Sequence, residues 1–203
     1  MPKKVSKFSL TEQPIHWTRA FLLGAISAVF MMAFIDIFYL MGMTPFSFEP
    51  YLGSLFLFGK YTPYGWILGF FANMIMGGIF GFLYAYCFEY VFYEATPRAG
   101  FKLGFWHAVA AALAFFPFFG SVHEFLGVNL YPQFGILGLG LGAPTFILLI
   151  TGHLLFGANI GLFYGDVCTA RVRARYFEPG DHGMPGDLGV ITTEEDNQER
   201  IAV

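Results

Sequence analysis

Four windows of this chain, 17–42, 65–93, 101–120 and 143–166, are apolar almost without interruption. Each reaches the roughly 20 residues that cross a hydrocarbon core of about 30 Å. Inside lipid the backbone finds no water, so a spanning segment must bond its own N–H and C=O groups and is a helix. The expected fold class is an all-α membrane protein with four transmembrane helices. Charge agrees: Asp, Glu, Lys and Arg make up 12% of the residues, against about 25% in soluble domains. The first window is far longer than the roughly 7–15 apolar residues of a secretory signal, and no small-x-small site follows it. It is expected to be a retained anchor.

Lysine and arginine orient the spans, because short cytoplasmic connections carry the excess of both. Lys3, Lys4, Lys7 and Arg19 precede or open the first span, Arg98 and Lys102 lie between the second and third, and Arg171, Arg173, Arg175 and Arg200 follow the fourth. Lys60 alone falls on the opposite side. Both termini are therefore expected in the cytoplasm. Cys87 and Cys168 sit at the cytoplasmic ends of the second and fourth spans, where a disulfide is not expected, and read as small buried residues.

The chain aligns with itself at an offset of 80 residues. Ala20, Gly24 and Ala28 fall on Gly100, Gly104 and Ala108, while Asn73, Gly77, Gly81 and Tyr84 fall on His153, Gly157, Gly161 and Tyr164. One offset serves both helices of a pair, which points to two tandem-duplicated hairpins. Copies with the same topology would be related by an axis along the membrane normal. Between helices in lipid there is no hydrophobic driving force, so small residues that allow close backbone approach must hold them. Gly77 and Gly81 on the second helix, and Gly157, Gly161 and Gly165 on the fourth, are the expected packing grooves.

The expected organisation is a cytoplasmic tail (1–16), a first hairpin with an outer loop (17–95), a second hairpin with an outer loop (96–170) and an acidic tail (171–203). Within the first outer loop, PYLGSLFLFG (50–59) reads as a short helix at the interface. The tail holds seven carboxylates from Glu178 to Glu199 and few apolar groups, a composition that does not bury a core.

Polar groups inside spans are costly and are functional candidates. At about 1.5 Å per residue, Asp36 lies about 25 Å above Arg19, and His153 about 27 Å above Arg171. With Asn73, the repeat mate of His153, they form an expected intramembrane layer, with His123 and Glu124 just beyond. Such a set can fix helix register, pass a proton or ligate a divalent metal. No compact ligand motif such as HExxH supports the metal reading. His107, about 12 Å up its helix, is expected too far from His153 to share a haem iron. Gly138-Leu-Gly140-Leu-Gly142 follows no strand and does not form a nucleotide fold. A net charge of −3 disfavours nucleic acid.

The segments RAFLLGAISAVFMMAF, WILGFFANMIMGGIFGFLYA and GHLLFGANIGLFYG resemble a group of small bacterial four-helix membrane proteins with no established activity. Their closing helix carries G-H-x-x-[FY]-G-x-x-x-G-x-x-Y-G, and the likeness covers about residues 17–166. The resemblance implies a fold and a bacterial inner-membrane location, without a cofactor or a reaction. Asn73 stands where those relatives lead one to expect histidine.

The expected partners are the lipid bilayer and other membrane subunits or further copies of this chain. The first reading is a structural or accessory subunit of a membrane assembly. The alternatives are a small-solute or proton permease using the Asp36–Asn73–His153 layer, and a metal- or cofactor-binding redox component.

Overall fold

Thr-Pro pairs start two of the long helices. At Thr62-Pro63 and Thr96-Pro97 the threonine hydroxyl accepts the N–H of Gly65 (3.2 Å) and of Ala99 (3.1 Å), while proline occupies the first turn, where no N–H partner exists. In the computed structural model these caps open α3 (Pro63–Cys87) and α4 (Pro97–Ala110). They follow α1 (Trp17–Leu40) and α2 (Phe48–Phe56), and precede α5 (Phe116–Phe125) and α6 (Ala143–Phe163). The structure describes residues 15–58, 60, 62–127, 135–165 and 167, all within one compact unit, Pro14–Ala170. The expectations for the two tails, and for Cys168, fall outside these residues.

Four stretches are long and apolar enough to cross a membrane: α1, α3 with its extension to Phe92, the continuous Pro97–Phe125 and α6. The short helix expected near 50–59 is α2. Helix α1 stops at Gly42, whose φ of +71° reverses the chain so that the Met43 N–H reaches back to the Phe38 carbonyl at 3.0 Å. Between α4 and α5 the helix widens into a π turn over Ala111–Phe115. Pro117 explains it: proline has no N–H for the carbonyl four residues back and its ring crowds that carbonyl, so the preceding turn opens instead of breaking.

Helix α3 shows how sequence sets packing. Gly65, Gly69, Asn73, Gly77, Gly81 and Ala85 recur every fourth residue and are buried, whereas Ile67, Phe71, Ile75, Ile79 and Leu83 form the opposite, exposed stripe. The small face is in backbone contact with its neighbours. A Cβ on Gly24 would strike the Gly77 carbonyl, and one on Gly81 the Ala20 carbonyl of α1. On the other pair, a Cβ on Gly157 would strike the Gly100 carbonyl and one on Gly161 the Thr96 carbonyl. Helix α2 lies on α3 in the same manner, Gly69 against the Glu49 carbonyl and Gly53 against Gly65.

Gly165 departs from the expected groove. Helix α6 ends at Phe163, and Gly165 follows it with φ +85° beside the Arg19 guanidinium. Arg19 donates to the Phe163 carbonyl at 2.7 Å, satisfying one of the carbonyls left open where a helix ends. Gly165 terminates the helix; it does not pack it.

The long helices form an arc in the order α3, α1, α6, α4. Helices α3 and α4 are consecutive in the chain yet stand apart, joined only marginally. That gap positions the site.

Candidate functional site

A cavity of about 560 Å³ occupies the space between α3 and α4, closed behind by α1 and α6. Asn73 and Met76 line it from α3, His107 from α4, Met31 from α1, and Leu149 and His153 from α6. Asn73, His107 and His153 each stand ten residues into their helices, a rise of about 15 Å, near the middle of the spans. The π turn contributes Ala111 and Ala114 to the wall, so the widened backbone and small side chains leave room there. Ala110, Ala114 and Phe118 line the cavity and are also exposed. On that side it opens sideways between the helices.

Its polar end has a defined chemistry. The His153 Nδ1 lies 2.8 Å from the Leu149 carbonyl; a carbonyl only accepts, so Nδ1 carries the proton and Nε2 of the neutral ring is an acceptor. His107 packs edge-to-face on His153 with ring centres 4.6 Å apart. Its Nδ1 is 3.3 Å from the Tyr84 hydroxyl, and Phe80 covers its face at 4.1 Å. Asn73 is 2% exposed, and its amide nitrogen has no hydrogen-bond partner. Buried donors are almost always paired, so this orphan marks a place where something else accepts.

The expected Asp36–Asn73–His153 layer divides into separate groups. Asn73 and His153 share the cavity. Asp36 instead meets Ser47, whose hydroxyl lies 2.9 Å from Asp36 Oδ1 and 2.7 Å from Glu49 Oε2. His123 pairs with the Ser54 hydroxyl at 2.9 Å and stacks on Tyr51 at 4.1 Å, while Glu124 is exposed. The expected 27 Å depth of His153 rests on a helix continuing to Arg171; α6 stops eight residues earlier, which removes about 12 Å. The same correction brings His107, expected to lie far below His153, beside it. One iron held from opposite sides by two imidazoles at about 2 Å would keep the ring centres more than about 6 Å apart, so the haem reading still lacks its geometry. Among the described residues no three His, Cys, Asp or Glu side chains converge as metal ligands.

The Asp36–Ser47–Glu49 group was not legible as a unit. A hydroxyl has one proton, so both Ser47 contacts are hydrogen bonds only when one carboxyl is protonated and donates to the serine oxygen. Burial, with the Asp36 charge adding to it, pushes the Glu49 carboxyl up to about 7. Glu49 is the group that holds this proton.

No protein-family model, no curated protein and no solved structure matches the chain. What the cavity can do therefore rests on its own chemistry: an apolar, aromatic chamber with one unpaired amide donor, one imidazole acceptor and a sideways opening.

Proposed function

We propose that this chain is a polytopic protein of the bacterial inner membrane that holds a small apolar molecule drawn from the bilayer and serves as an accessory subunit of a membrane assembly. The observation that carries this reading is the mid-span cavity, open between α3 and α4, with the unpartnered Asn73 amide inside it. Pockets of about 300–1,000 Å³ lined mostly by apolar groups, with a few polar atoms, are the usual form of small-molecule sites. An opening toward lipid admits molecules that are already dissolved there. Asp36 meets Ser47 and does not line the chamber that Asn73 and His153 share, which supports the pocket reading over the permease alternative.

The proposal places both termini in the cytoplasm, from the charge asymmetry of the connections, and derives the bundle from duplication of one hairpin. The 80-residue offset supports duplication, because the glycines it pairs occupy the backbone contacts of α1 with α3 and of α4 with α6. It also pairs Asn73 with His153, and both line the same chamber.

Native mass spectrometry of protein extracted gently from its own membrane tests the reading. The expected spectrum contains the chain with a retained small molecule, within a larger assembly. A bare chain that neither retains a molecule nor associates with other subunits would count against both parts.

A further inference from the structure

The cavity also specifies the class of its occupant, an inference that rests on the reading of the cavity as a pocket facing the bilayer. We propose that the ligand is a neutral ring compound bearing carbonyl or hydroxyl oxygens, of the lipid-soluble quinone class, with one oxygen on the Asn73 amide.

Three observations converge. Among the described residues no charged side chain lines the chamber, so phosphate and carboxylate headgroups would be buried without a counter-charge, at a large cost. Phe48, Phe80, Phe115, Phe116, Phe118 and Phe156 contribute to its walls; flat rings gain stacked or edge contacts on phenyl groups that a saturated chain does not. The polar end offers an unpaired N–H donor on Asn73 and an acceptor at His153 Nε2. The donor suits a ring carbonyl and the acceptor suits a ring hydroxyl, so the quinone and quinol forms both find a partner. An acyl chain would satisfy neither. A long isoprenoid tail, too large for the chamber, leaves through the gap between α3 and α4.

The test is equilibrium binding of a benzoquinone with a ten-carbon tail to the full chain in lipid nanodiscs, with mass spectrometry of the neutral lipids that co-purify. Wild-type protein is expected to bind the probe saturably. Asn73→Leu removes the donor while preserving apolar volume, and is expected to weaken binding about five- to tenfold, the value of one hydrogen bond, with an undiminished melting temperature. Ala114→Phe, a change on an exposed wall, is expected to fill the chamber and abolish binding. Unchanged affinity in Asn73→Leu would overturn the assigned contact. Absence of saturable probe binding, with a different neutral lipid lost on Ala114→Phe, would refute the quinone class and leave the pocket reading standing. Absence of both would refute the two together.

Discussion

Gly161 and Ile79 separate two roles that glycine-rich apolar helices otherwise blur. A side chain on Gly161 meets the backbone at Thr96 and Gly100, which cannot yield without parting α4 from α6. Gly161→Leu should therefore cost about 3 kcal/mol and broaden the size-exclusion profile. Ile79→Ala, at a position 57% exposed on the outer stripe of α3, should leave the detergent melting temperature nearly unchanged. Equal effects would remove the backbone-contact account. Glu49 yields a pH prediction. Its carboxyl is raised from 4.5 to about 7 in the folded state, so the fold binds this proton more tightly than the unfolded chain does. The resulting stabilisation is complete below about 4.5 and declines as the pH rises through about 7, by up to about 3 kcal/mol. Thermal unfolding at pH 5 and pH 8 should show wild-type protein less stable at pH 8 and Glu49→Gln nearly indifferent. A wild-type protein equally stable at both pH values would contradict the shared proton.

At the scale of elements, helix ends decided most of what could be read. Thr96 caps α4 where Gly161 of α6 packs against its backbone. Thr96→Ala should lower stability by about 1 kcal/mol, measurable as a drop in melting temperature; no change would mean the cap is idle. The apolar windows located the four helices long enough to cross a membrane, and Pro117 marks an irregular turn in the third. Its form was not legible, since a proline can kink, bulge or end a helix according to its neighbours. The end of α6 was misplaced for a simple reason. Gly165 fits a four-residue packing series and a left-handed helix terminator equally well, and hydropathy does not distinguish the two. Reading it as a terminator would have put His153 at the level of His107. The partners of Asp36 were illegible because Ser47 and Glu49 reach it through a chain reversal at Gly42.

For the whole molecule, four helices are long and apolar enough to cross a membrane, and the proposed topology puts both termini, with ten of the eleven basic residues of the sequence, on one side. A fluorescent protein fused to the C-terminus should therefore fluoresce when expressed in bacteria, and alkaline phosphatase fused there should stay inactive. The opposite pair of results would invert the topology. By itself the sequence determined the four helices long enough to cross a membrane and which of their faces pack, because a lipid solvent imposes a length, a backbone rule and a demand for small contact residues. Tertiary structure alone decided that α3 and α4 stand apart, that the π turn hollows the wall between them, and that Asn73, His107 and His153 meet there. Those outcomes depend on where helices end and how they tilt past one another, which side-chain periodicity does not encode.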